Sequence, residues 1–323
     1  MKLLRWLAAC VVLVLAGLAA IVAWKFFHRP GLEAYAAHRF VSPATTGGLN
    51  ATWFGTTALL LSDGEHSLMV DPYFTRAEGW LNLLLNREIA SDQERIARAL
   101  VKAKLNNLEA VLVSHSHFDH AMDAGVVARL SGAVLAGSAS TANIGRGEGV
   151  PESQLRMVKP GEPMTFGSFT VTFLESKHAG ATGGTPTGAI TQPLKSPAHY
   201  LDYKLGGAYS ILIEHPLGTV LHHGSAGFIP GALKGKKADV VFLGIALLDD
   251  LPAYLSEVVD AVGAKRVIPT HWDDFTRPLD QPLIPGPIGV HLDDFFEDMA
   301  RLRPALTVQT LTAGETVTLF PNP

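Results

Sequence analysis

Residues 110–123 constrain this chain more than any other stretch. A β-type run over 108–113 leads straight into Ser114-His115-Ser116-His117-Phe118-Asp119-His120, and a helical pattern over 124–130 starts just after it. Alternate side chains at an extended strand end point the same way, so His115 and His117 can grip one ion from one side. Asp119 and His120, in the tight turn that follows, can face a second ion close by. A solvated surface cluster would have to place four ligand-type residues behind a buried strand by accident. The chain has thirteen histidines and a single cysteine, Cys10, which lies in the apolar N-terminus. The rest has no thiol, so it has neither a disulfide framework nor a catalytic cysteine. Metal chemistry here runs on imidazole and carboxylate, a set that suits zinc, iron or manganese and leaves positions open for water.

At these residues the sequence resembles the metallo-β-lactamase-fold superfamily, whose hallmark is H-x-H-x-D-H after a strand. The resemblance runs in motif order over residues 50–320. It implies an α/β fold, a four-layer αββα sandwich, and a hydrolase with one or two zinc ions, iron or manganese being the alternatives. By the same resemblance Asp71, in Met69-Val70-Asp71-Pro72, supports the metal site from behind. His178, after the strand predicted over 170–175, joins His115 and His117 around one ion. His271, in Pro269-Thr270-His271-Trp272, joins Asp119 and His120 around the other. Asp119 also orients the attacking water.

One position departs from the family pattern. Most of its hydrolases carry an aspartate after the fourth motif's glycine, bridging both metals. Here the stretch reads His222-His223-Gly224-Ser225. Ser225 stands at the bridging position, which weakens the case for a second ion, and His223 is either a substitute ligand or an ordinary histidine at a strand end. His199, after a Gly/Thr/Pro-rich loop between His178 and His199, is a candidate substrate contact or a merely structural residue. Such a long loop in a compact domain is usually functional or disordered.

The N-terminus is a separate unit. Residues 6–24 carry no charge and no strong polar group, with tryptophan at both ends and Lys2, Arg5, Lys25 and Arg29 flanking them. Nineteen residues of helix span roughly 28 Å, close to the hydrocarbon thickness of a bilayer. The run is longer than the core of a cleaved signal and has no small-residue cleavage site, so an uncleaved anchor is expected. The division is a transmembrane anchor at 1–29, a linker at 30–48 and a catalytic domain at 49–323. The expected location is a membrane, crossed once, the bacterial inner membrane by this reading. Residues 1–29 hold four of the 26 basic residues and none of the 30 acidic ones, leaving 22 against 30, net −8. Nucleic-acid binding rests on phosphate neutralisation, so no nucleic-acid partner is expected.

Turn residues separate short β-type runs over 52–54, 57–61 and 67–70. A helical pattern over 92–104 follows. Further strands are predicted at 133–135, within 164–174, within 200–213 and at 219–221. The end alternates strand 239–243, helix 252–262, strand 266–269, helix 291–302 and two final strands. This reads as two pseudo-equivalent halves, two sheets with helices outside. The short opening and the His271-Trp272 pair resemble the ascorbate-6-phosphate lactonase-like and N-acyl phosphatidylethanolamine phospholipase D-like branches. The substrate expected is a small molecule or a lipid-like one, cleaved at an ester, lactone or phosphodiester. The leucine-rich run over 79–85 is expected to be buried rather than to line a lipid-facing entrance. The alternative for the whole chain is a non-catalytic or single-metal, membrane-tethered binding protein that keeps the fold.

Overall fold

The computed structural model describes residues 2–103, 107–180 and 186–322. Helix α1 (Lys2–Phe27) is followed by a 3-10 turn (Leu32–His38). A meander comes next: β1 (Leu49–Trp53), β2 (Leu59–Ser62) and β3 (Ser67–Val70). Then come α2 (Trp80–Leu84), the short β4 (Glu88–Ile89), α3 (Gln93–Lys102) and β5 (Leu108–Leu112). The first half continues with α4 (Phe118–Ala121), α5 (Ala124–Ser131), β6 (Val134–Gly137), α6 (Ala139–Gly147) and β7 (Leu155–Met157). The second half repeats the plan. It holds β8 (Pro163–Phe166), β9 (Phe169–Ser176), the short β10 (Ala198–His199), β11 (Ala208–His215) and β12 (Gly218–His223). Next are β13 (Val240–Gly244), α7 (Leu251–Tyr254) prolonged by a π-helical stretch, and β14 (Arg266–Thr270). Helix α8 (Leu292–Leu302), β15 (Thr307–Val308) and β16 (Thr316–Phe320) end the chain.

Two seven-stranded sheets result among the described residues, in the orders β16-β1-β2-β3-β5-β6-β7 and β15-β14-β13-β12-β11-β9-β8. In each, an antiparallel meander passes into parallel strands at one point: β3 beside β5 in the first sheet and β12 beside β13 in the second. Period-two alternation builds the layers. Ala110 and Leu112 of β5 face the inter-sheet core with Phe173, Ile211 and Val241. Val111 and Val113 face the opposite way, against Ile96 of α3 and Val126 and Val127 of α5. Helices α7 and α8 pack Tyr254, Phe295 and Met299 onto the second sheet. A strand fully buried on both faces contributes on the order of 1.5–3 kcal/mol per large apolar side chain removed from water.

Segment 30–48 lies along this sandwich. Tyr35 and Phe40 enter the core, His38 stacks on Phe296 with ring centroids 3.8 Å apart, and Arg39 bridges to Thr310. Two expectations need correcting, and one helix was not expected. Of the β-type stretch expected over 200–213, only the part from Ala208 is a strand. Gly206 (φ +67°) and Gly207 (φ +114°) take left-handed conformations that other residues avoid, and Tyr200 sits in a 3-10 turn before them. Helix α6 was not foreseen, its Gly-, Ser- and Thr-rich sequence having little periodicity. The leucine run is not a core helix: Leu83 is buried, but Leu81, Leu84 and Leu85 are 63, 78 and 56% exposed. Helix α2 has only five residues on the surface, so just one face reaches the interior. Of the loop between His178 and His199, residues 181–185 lie outside the described residues.

Candidate metal centre

The site forms where the parallel strands end. Val70 pairs with Leu112, so β3 and β5 deliver Asp71 and the histidine segment side by side. Asp71 adopts φ +45° and is fully buried, its N–H bonded to Leu112 O at 2.9 Å. A non-glycine residue held in that region stores strain, which the surroundings must over-determine. They do: Asp71 Oδ1 accepts from Ser114 N (2.7 Å), and Oδ2 from Ser114 Oγ (2.6 Å) and Thr57 Oγ1 (2.9 Å). Gly224, at the end of β12, allows this close packing, since a Cβ there would lie 2.7 Å from Ser114 Oγ and 3.1 Å from Asp71 Oδ2. His117 precedes α4, whose single turn carries Asp119 and His120. From the facing sheet, His178 follows β9 and His271 follows β14. His271 is a second strained residue (φ +56°), fixed by its N–H to Thr56 O at 2.7 Å.

Two groups of donors result. His115, His117 and His178 offer ligand atoms within 4.8 Å of one another, and so do Asp119, His120 and His271. The groups adjoin, the His115 and His120 ring centroids being 3.8 Å apart. Hydrogen bonds fix which ring nitrogens remain free. A carbonyl only accepts, so His117 donates Nε2–H to Pro186 O (2.8 Å) and His178 donates Nδ1–H to Ala179 O (2.9 Å). Ser114 Oγ gives its proton to Asp71 and so accepts from His115 Nδ1 at 3.2 Å. That leaves bare His117 Nδ1, His178 Nε2 and His115 Nε2. The last is buried and has no hydrogen-bond partner. His120 directs Nδ1 at Asp71 Oδ2 (2.9 Å), so its Nε2 comes within 3.3 Å of His271 Nε2 and 3.5 Å of Asp119 Oδ2. Buried nitrogens converging without partners are costly unless a cation joins them. The donor set fits a divalent metal.

Titration behaviour separates the groups. Burial, reinforced by the neighbouring rings, pushes His115 well below the usual imidazole range and His178 down to about 4. Burial also lowers His117. These rings are neutral at pH 7, as ligands must be. At His120 burial also opposes the charged form, but Asp119 and Asp71 outweigh it and raise the pKa. Burial alone would raise Asp119 and Asp71. His120 overcomes it in both, aided by His271 at Asp119, and holds them below the ordinary carboxylate range.

Other candidates fall out differently. Ser225 lines the same cleft and accepts from Ala179 N at 2.9 Å, steadying the turn that carries His178. His223 has both ring nitrogens committed, to Ser210 Oγ (2.7 Å) and Gly227 O (2.8 Å), so it offers no donor. His199 is exposed and tied to Asn86 O at 2.8 Å, while the next residue, Tyr200, lines the cleft in its place. Sequence reasoning missed the buried ion pair between Arg76 and Asp273 (2.9 Å). Asp273 Oδ1 accepts from Thr56 N at 2.6 Å, and Thr56 O holds His271, so this pair braces the second group. The only signal was two acids directly after His271-Trp272. Phe118, Leu247 and Phe275 of the cleft wall were also unforeseen, and Trp80, from the run weighed as an entrance, joins them.

Facing sheets, outer helices and histidine–carboxylate groups at the strand ends define a metallo-hydrolase sandwich. The chain belongs to the β-lactamase superfamily: residues 66–272 match the family described as "Beta-lactamase superfamily domain". It is similar to a "UPF0173 metal-dependent hydrolase" of Myxococcus xanthus, 27% identical over 257 residues, 78% of each chain. Among solved structures it resembles Igni18, a metallo hydrolase of the archaeon Ignicoccus hospitalis. The TM-score is 0.57 at 16% identity, over 85% of this chain and 99% of that one. It also resembles an isothiocyanate hydrolase from Delia radicum gut bacteria, with a TM-score of 0.54 at 15% identity, over 84% and 100% of the two chains. The chain is thus a metal-dependent hydrolase with the metallo-β-lactamase fold.

Proposed function

We propose that this chain is a membrane-tethered hydrolase that holds one or two divalent ions, zinc in the first instance. His115, His117 and His178 would hold one ion, and Asp119, His120 and His271 the other. The observation that carries this reading is the set of converging ring nitrogens, those of His115, His117, His178 and His120 left bare because the other nitrogen of each ring is committed to an oxygen. Bound ions supply a Lewis acid and a water acidic enough to ionise near neutral pH. The protein does the rest. Asp119 Oδ2, ionised and 3.2 Å from His271 Nε2, can accept a hydrogen bond from the attacking water and orient it. Its lowered pKa suits it to remain charged rather than to keep the proton. Trp80, Tyr200, Phe275 and Leu247 present an apolar wall that excludes bulk water and accommodates the apolar part of an ester, lactone or phosphodiester. Helix α1 supplies the tether: residues Arg5–Trp24 are apolar and long enough to cross a bilayer, and none of that span is buried against the protein. The division into anchor (1–29), linker (30–48) and catalytic domain (49–323) goes with this reading, the linker being laid along the domain.

The full chain, purified in detergent, is expected to carry one to two equivalents of metal by mass spectrometry. It should turn over at least one of bis(p-nitrophenyl) phosphate, a lactone, a thioester, a chromogenic cephalosporin or a phospholipid. A metal-free, inactive chain whose metal content and stability are indifferent to His117→Ala would sink the proposal. Ser225 at the bridging position favours a second reading, a single ion in the three-histidine group. A chain that keeps one equivalent after dialysis, and works with it, selects that reading.

A further inference from the structure

Arg29 lies just beyond α1, yet its guanidinium is tied to the rim of the metal cleft. Its Nη2 pairs with Asp274 Oδ2 at 2.9 Å and its Nη1 donates to Pro285 O at 2.6 Å. Both side chains of the pair are nearly buried, 11% and 3% exposed, so this is a seated contact and not a loose surface pair. Arg29 also lies over the Phe26 ring at the end of α1, 5.3 Å from its centroid. Asp274 Oδ1 in turn accepts from Trp80 Nε1 at 3.1 Å, and Trp80 is the first residue of α2. Trp80 packs on Phe275, which packs on His271, with ring centroids 5.1 and 6.0 Å apart. A short continuous path therefore links the end of α1, the exposed leucines of α2 and the metal cleft. The cleft's own rim adds Ile288, 64% exposed.

We infer that the mouth of the cleft is docked on the surface of the same lipid bilayer that holds α1. Arg29 is the clamp, and Leu81, Leu84 and Leu85 are the side chains that enter the bilayer. This rests on the tether proposed above. The lipid surface is the occupant the structure favours, because the patch is continuous through Arg29 with a helix apolar enough to cross a membrane. Two exposed leucines on the five residues of α2 and a third directly after it form an apolar patch of the kind that enters a membrane interface. A substrate would then reach the metals from the bilayer interface, as an amphiphile with an apolar chain.

The test uses the full chain in phosphatidylcholine vesicles, with Cys10→Ala and a nitroxide label on Leu84→Cys. The control label is on Val101→Cys. Val101 is equally exposed, lies in the last turn of α3 and is not among the residues that line the metal cleft. Flotation first reads the tether. A chain that does not float overturns the tether and this inference with it. In a floating chain, the Leu84 label is expected to lose accessibility to a water-soluble nickel relaxant and gain it to oxygen, with Val101 unchanged. Arg29→Ala should return the Leu84 label to water while the chain still floats. A Leu84 label that stays as aqueous as Val101 overturns the docked mouth and leaves the tether standing. So does dipolar broadening between Leu84 labels, which would place a second copy there. Lipid contact that survives Arg29→Ala overturns the clamp.

Discussion

The two donor groups sit side by side but are held by opposite means. His115, His117 and His178 lean on neutral oxygens: a serine hydroxyl and two backbone carbonyls. Asp119, His120 and His271 are held by charge, with Asp71 behind His120 and the Arg76–Asp273 pair behind the His271 loop. The first group brings three neutral rings to an ion. The second brings one carboxylate, backed by a second carboxylate 2.9 Å behind His120. The neutral group fixes tautomers by geometry alone and resists protonation through burial. The charged group attracts a cation more strongly, and by the same charges attracts protons.

The largest effect expected is that of His117→Ala, which removes a donor of the neutral group. Loss of one metal equivalent and a fall in turnover of roughly a thousandfold or more should follow, since a bound Lewis acid contributes several kcal/mol. Equal loss from both groups would show that they act as one site and break the contrast. Next is Asp71→Asn, which keeps the shape but removes the charge behind His120. Metal affinity of the second group should drop about 10–100-fold, the usual cost of losing such a supporting partner, with a smaller loss in the first group, which Asp71 reaches only through Ser114 Oγ. Metal titrations resolved by stoichiometry would read this.

Acid sharpens the comparison further. As pH falls, His120, whose pKa is raised, takes up a proton before the three rings of the neutral group, among which His178 is pushed down to about 4. Protons therefore compete at the second group first, and its metal should be released at the higher pH. Release in the reverse order, followed by dialysis at stepped pH and elemental analysis, would contradict the charge argument. The smallest change is Ser225→Ala, which removes the acceptor for Ala179 N. A cost of about 1 kcal/mol is expected, with loosened metal binding at His178 only. An effect confined to the second group would mean that Ser225 takes part in bridging after all.

Much of the fold was legible because two-residue alternation is local. Leu112 and Val113 must face opposite layers wherever β5 lies, and His115 and His117 inherit that geometry at its end. The motif order likewise singled out His178 and His271, which the fold brings beside His115 and His117 and beside Asp119 and His120. What could not be read were contacts between residues far apart in the chain. Ser225 was assessed for the charge it lacks, whereas its work is a hydrogen bond to a residue 46 positions earlier. His223 looked available until Ser210 and Gly227 took both its nitrogens. The leucines of α2 read as core because composition carries no record of how short a helix will be or which surface lies beneath it.

The sequence by itself determined the chemistry of the donors. With the one cysteine in α1, any metal in the domain meets only imidazole and carboxylate, and six such residues stand in the order of a hydrolase family. The tertiary structure decided what each donor can do. Only the folded chain sets Asp71 behind His120, lays carbonyls against His117 and His178, and brings Arg29 to the rim of the cleft. The physical reason is that ligand identity is covalent and local. A tautomer, a shifted pKa or a buried ion pair is a property of neighbours, and those neighbours come together only when the two sheets close on each other.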